Sequence, residues 1–199
     1  QILIEDGLLT NSQFEELLAE YQASNEIDDL NVANEQNDMV EKLIHKFFHF
    51  DNSDMSGKIV AYLNLLFNDI VRFIGKDFTP LNPLMKSEYM TNYCVTQKDE
   101  GLLSFNSGVD MSKSVAIAFA SRYAKEEFHE FDEYVKASIE DFLNLHNGLF
   151  NVNMSNEFSL ELNLCPPEVH EEETLTNATK IYVFPIIFPF GTIHFLLEI

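Results

Sequence analysis

Ala137-Ser138-Ile139-Glu140-Asp141-Phe142-Leu143-Asn144-Leu145-His146-Asn147-Gly148 is the stretch around which the chain is organised. Apolar residues recur through it at spacings of three and four, the period of a helix with one buried stripe. Phe131, Val135, Ser138, Phe142, Leu145 and Leu149 are expected to face a sheet. Ala137, Asp141, Asn144 and Gly148 repeat with the same period on the far side and form one narrow strip. A solvated helix face is normally covered by the long stems of Lys, Glu and Arg. Here a carboxylate and a carboxamide stand one turn apart between two residues with almost no side chain. A flat object coming down on this strip meets Asp141 and Asn144 first. Asp and Asn on an exposed helix face are ordinary by themselves, so the weight falls on the frame around them.

Upstream, a long apolar helix is expected from Ser56 to about Gly75, with Leu63, Leu66, Phe67, Ile70, Val71 and Ile74 as its face and Gly75 as its cap. Two strands near 87–97 and 101–107 follow, joined at Lys98-Asp99-Glu100-Gly101. Asp110 or Ser112 caps a helix from Ser114 to Phe128, whose Ala116, Ala118, Ala120 and Ala124 make a thin side for close packing. The central helix is expected over 131–150. A strand at 157–164 points Phe158, Leu160, Leu162 and Leu164 inward, and stops at Pro166-Pro167. After an acidic loop at 170–178, Ile181–Ile187 and Gly191–Ile199 form a last hairpin, its pairing limited by Pro185 and Pro189. This order predicts an α+β domain with long helices packed on one face of a mostly antiparallel sheet. Residues 1–56 read as an N-terminal helical extension: a short amphipathic helix from Phe14 to Tyr21, an acidic linker over 24–38, and a second helix from Met39 to Phe48. The domain itself is expected over 57–199.

Composition narrows the partners. The formal charge of −21, with a pI near 4.4, repels nucleic acid and anionic membranes, so neither is an expected partner. No run of residues approaches membrane-spanning length, and no signal core follows a basic start. Cys94 and Cys165 belong to no metal or redox spacing, and reduced, packed thiols in a cytoplasmic protein are expected. The chain begins at Gln1 rather than Met, so a trimmed piece of something longer is one expectation.

Other constellations fail on inspection. His45 and His49 have a zinc-compatible spacing, but Lys-Phe-Phe lies between them and no third ligand is marked. Asp51-Asn52-Ser53-Asp54-Met55-Ser56-Gly57 departs from a calcium loop at Met55, at the late Gly57 and at Tyr62, where the last acid would stand. There is no Gly-rich phosphate loop and no Gly-x-Ser-x-Gly turn. Cys165 has no nearby His to activate it. No metal site of the chain's own is expected.

The central helix resembles that of the chemotaxis phosphatase family of CheX, CheC and FliY, most closely its CheX-like branch. Those proteins carry an acid, two residues, then Asn, commonly followed four positions later by Gly. Asp141-Phe142-Leu143-Asn144 and then Gly148 stand in that place. Leu164-Cys165-Pro166-Pro167-Glu168-Val169 resembles the family's proline-marked strand end, and Val183-Phe184-Pro185 with Gly191 its last hairpin. The likeness covers about 57–199. It implies hydrolysis of the aspartyl phosphate on a CheY-like response-regulator receiver domain in chemotaxis or two-component signalling. Asn144 would orient the attacking water, and Asp141 would engage the receiver's Lys and fix the docking. Ala137, Glu140, Asn147 and Gly148 would line the contact. The receiver would supply the Mg²⁺, and the protein no cofactor. Catalysis then needs only positioning of a water in line with an activated acyl phosphate. The resemblance also implies a homodimer with strands in its interface.

One residue departs from the pattern. Asp141 stands where the family has Glu, and reaches about 1.3 Å less. A misplacement of that size costs roughly 100-fold in rate. Glu140 points about 100° away around the helix and is a poor substitute. A second expectation from a different class therefore stands beside the enzyme: a non-catalytic receiver-binding or dimerisation scaffold of the same fold.

Overall fold

The structure is a computed structural model that describes residues 53–198. The two helices and the acidic linker read for the N-terminal extension lie outside the described residues. The first described helix, α1, spans Ser53–Phe73, so it begins slightly before the expected Ser56. Ile59, Tyr62, Leu63, Leu66, Phe67 and Ile70 are buried along one stripe of it. It stops as expected: Gly75, at φ 141°, adopts a conformation that L-residues rarely reach, and its N–H returns to the Ile70 carbonyl at 2.9 Å.

Eight further elements precede the last hairpin: β1 (Thr79–Pro80), β2 (Leu84–Met90), β3 (Tyr93–Gly101), β4 (Phe105–Met111), α2 (Lys113–Ala124), α3 (Glu133–Phe158), β5 (Leu162–Leu164) and the short β6 (Glu168–Glu171). The hairpin is β7 (Thr174–Phe188) with β8 (Gly191–Glu198). The sheet runs β1-β7-β8-β4-β3-β5, with β2 also on β7 and β6 also on β3. Every pairing is antiparallel. α1, α2 and α3 pack on one face. On the other, Tyr89 of β2 folds over Cys94, Ile181, Val183 and Leu196, so the sheet curls around a small second core. The α+β architecture is the expected one.

Several elements differ in extent. Residues 87–97 are two strands with a corner at Thr91-Asn92, which Asp110 clamps by accepting the Asn92 backbone N–H at 2.8 Å and the Tyr89 hydroxyl at 2.8 Å. Asp110 is therefore no helix cap; Ser112 is, accepting from the Val115 N–H. The β3–β4 turn lies at 102–104, not at Lys98–Gly101. Lys98 and Glu100 pair with each other at 2.6 Å on the outer side, while Asp99 points inward to the Asn151 amide, so the charged run keeps the alternation of a strand. α2 ends at Ala124 on the left-handed Lys125 (φ 55°). α3 runs to Phe158, so the strand expected from 157 shrinks to Leu162–Leu164 and Phe158 is exposed. The prolines interrupt nothing in the last hairpin, which pairs continuously from Ile181–Glu198 to Phe188–Gly191. Pro189 occupies the turn. Pro185 turns its carbonyl outward to the Leu81 N–H at 2.8 Å, into the gap between β1 and β2, where its missing N–H would also have pointed.

Candidate functional site

α3 starts where the Asp132 carboxylate accepts from the Tyr134 and Val135 N–H groups. Its buried face is Val135, Ile139, Phe142, Leu143, His146, Asn147, Phe150 and Met154. That is rotated from the expected stripe: Ser138 and Leu145 are half-buried and Leu149 is exposed. Two buried polar residues account for the rotation. The His146 Nδ1 meets the Asp69 carboxylate at 2.8 Å, and burial holds its imidazole below the usual histidine range, against the pull of Asp69. Asn147, fully buried, bonds Tyr62, Ser107 and Gln97.

The expected contact residues therefore separate. Ala137, Asp141 and Asn144 are exposed, and Glu140 and Gly148 are half-buried, around the outer side of α3. Asn147 is not among them. A buried carboxamide touches no partner, and its place is beneath the site rather than on it. Ala137, Glu140, Asp141 and Asn144 line one wall of an open groove, with Tyr123 and Phe128 from the α2 side and Pro167 at the far rim. A Cβ added to Gly148 would meet nothing within 4 Å, so the chain's own packing does not require glycine there.

Each polar group of the strip is held from behind. The Tyr123 hydroxyl donates to the Asp141 Oδ2 at 2.6 Å, and the Tyr123 ring sits edge-on against Phe142 and Phe73 and stacked along Phe119. Burial, then the bond to Asp141 and its charge, push the Tyr123 phenol well up, so it stays a donor. The Asn144 Oδ1 accepts from the Gln97 Nε2 at 2.9 Å. Gln97 and Tyr123 escaped the sequence reading. A signal existed for the first: Tyr93, Val95, Gln97 and Asp99 share one side of β3, and a carboxamide among apolar residues on an inward face requires partners. Nothing in the sequence marks Tyr123.

Among the described residues no group of three or more His, Cys, Asp or Glu is placed to hold a metal ion, and no helix is long and apolar enough to cross a membrane. Cys94 is buried and Cys165 half-buried, both as free thiols.

No protein-family model matches the chain, and no curated protein does. Solved structures do. CheX of Desulfovibrio desulfuricans matches with a TM-score of 0.60 at 14% identity, over 71% of this chain and 97% of that one. A CheC-like superfamily protein of Shewanella sp. PV-4 matches with 0.62 at 16%, over 74% and 97%. CheX of Borrelia burgdorferi, solved as a CheX–CheY–BeF3–Mg²⁺ complex, matches with 0.59 at 17%, over 71% and 96%. At such identities the likeness is one of fold. The chain has the CheX-like fold, as the sequence resemblance led one to expect.

Proposed function

We propose that the outer strip of α3 docks on the receiver domain of a response regulator and that the protein accelerates hydrolysis of the receiver's aspartyl phosphate. The observation that carries this reading is Asn144: a carboxamide exposed on a groove, one turn after a carboxylate, with its oxygen held from within by Gln97. The fold is shared with a CheX that binds a CheY. An acyl phosphate is already activated, and the receiver brings its own Mg²⁺ and Lys. What remains is to hold a water in line, which a fixed carboxamide does by accepting from the water and donating to the phosphoryl group. Asp141 fixes the docking through the receiver's Lys. Ala137 and Gly148 let the partner's backbone come close, and Glu140 adds negative charge to the rim.

The test is the decay of a panel of phosphorylated receivers with and without the protein. Acceleration of at least one is expected. Asn144→Ala should lose most of it, by about 100-fold or more, with receiver binding little changed, because the amide acts at the transition state. No acceleration of any receiver would overturn the reading. One observation favours a second one: the Tyr123 hydroxyl already engages Asp141, which is shorter than the family's Glu. A docking scaffold without hydrolysis would bind receivers through the same strip and leave their decay unchanged.

A further inference from the structure

We infer that Gln97 is the positioning residue that sets which way the Asn144 amide faces, and that it does so through a directional chain of hydrogen bonds anchored on the Cys165 carbonyl. The inference rests on the site of the proposed phosphatase but not on its activity. A carbonyl can only accept, so the Gln97 atom 2.9 Å from the Cys165 O must be the nitrogen. The second hydrogen of that nitrogen then goes to Asn144, 2.9 Å away, which must present its oxygen inward. The Asn144 NH2 group and the second lone pair of its oxygen are left for the groove.

The other end of Gln97 is equally determined. Its Oε1 accepts from the Asn147 Nδ2 at 3.0 Å. That nitrogen also donates to the Ser107 Oγ at 2.9 Å, and the Asn147 Oδ1 accepts from the Tyr62 hydroxyl at 3.0 Å. Burial keeps the Tyr62 phenol protonated far above neutrality, so it retains the hydrogen it donates to Asn147; the Asn147 amide is oriented by the Gln97 Oε1, which needs a donor. Gln97 is 1% exposed, and a flip of its amide would set two acceptors against each other at Cys165 and two donors against each other at Asn147. Inside a protein such a mismatch leaves buried groups unpaired. Cys165 is itself tied to β3, donating its N–H to the Lys98 O at 2.9 Å, and the following Pro166 restricts its backbone. Pro166 thus acts on the site from outside the groove, while Pro167 forms its far rim.

The experiment uses the full chain with Gln97→Met, which keeps the volume and loses both amide groups, and Ser107→Ala, which loosens the far end of the chain. The primary readout is the NMR order parameter of the Asn144 side-chain NH2, with the exposed Asn163 as internal reference. Asn144 should be ordered in the parent, clearly less ordered in Gln97→Met and slightly less in Ser107→Ala, with Asn163 unchanged. With a phosphorylated receiver as substrate, kcat should fall by about ten- to a hundredfold in Gln97→Met while KM stays nearly constant. An Asn144 order parameter indifferent to Gln97→Met, or a rise in KM with kcat intact, overturns the inference. If Gln97→Met does not fold, Ser107→Ala decides alone by the same readout. A parent protein inactive on every receiver overturns the phosphatase reading only, since the order parameters still decide the role of Gln97.

Discussion

Asp141 and Tyr123 have to be understood together. A free aspartate on a helix surface samples its rotamers, and a partner that needs one of them must order it at a cost of roughly 0.5–1.5 kcal/mol. The Tyr123 hydroxyl, 2.6 Å from Oδ2 on a ring wedged among Phe73, Phe119 and Phe142, holds the carboxylate in place and leaves Oδ1 for a partner. The shorter acid is thereby matched to a donor that a Glu would overshoot by about 1.3 Å. Asp141→Glu is therefore expected to leave receiver dephosphorylation unchanged or slower. In a Tyr123→Phe background the penalty should shrink, a coupling that a double-mutant cycle on the initial rate measures. A gain of up to about 100-fold from Asp141→Glu in the Tyr123 protein would show instead that the lost methylene is a plain handicap. Asp141→Ala should raise KM more than it lowers kcat, because a salt link to the receiver's Lys is present in the ground state as well.

At the scale of the element, α3 divides into a face the fold needs and a strip it does not. Gly148 shows this most clearly: glycine inside a helix costs about 1 kcal/mol against alanine, yet an added Cβ would meet nothing. Gly148→Ala is expected to raise the unfolding free energy by about 0.5–1 kcal/mol, and Gly148→Leu to weaken receiver docking several-fold with kcat preserved. A protein destabilised by Gly148→Ala would mean that the position serves the fold instead. The strip was legible in the sequence because spacing alone places Ala137, Asp141, Asn144 and Gly148 on one side. The core face was legible only in part, since a reading by hydrophobicity cannot foresee that His146 and Asn147 go inside once Asp69 and Gln97 are there to pair with them. The same blindness put a turn at Lys98–Gly101, where Asp99 is a buried strand residue. It also offered Asp110 beside Ser112 as a helix cap, when the partners of Asp110 are Tyr89 and Asn92 at the corner between β2 and β3. The hydrogen-bond partners of the Gln97 and Tyr123 side chains lie 18 to 68 residues away, and no local pattern encodes such pairings.

At the scale of the whole described domain, the sheet formed by the described residues has two unlike edges. On one side β5 and β6 are 3 and 4 residues long and flanked by Pro166 and Pro167, devices that blunt an edge against pairing. On the other, β2 offers 7 residues, with Leu84, Met85 and Met90 about half exposed or more, at 48%, 54% and 65%. Lys86, which would guard that edge, lies over the Tyr89 ring with its Nζ 5.3 Å from the centroid. Such an edge is covered by a second copy at little structural cost, and a homodimer joined along β2 is the expected assembly. The formal charge of −21 works against it, because two copies repel over any distance within a Debye length. Association should therefore strengthen with salt, the reverse of an interface built on charge pairs. Sedimentation at tens of micromolar protein should show the dimer share rising between about 0.05 and 0.5 M salt as screening shortens from roughly 14 Å to 4 Å. Met85→Lys, which puts a cation on the edge, should return the protein to monomer at every salt concentration. A parent that stays monomeric at the high-salt end, or a dimer indifferent to Met85→Lys, would move the interface elsewhere or remove it.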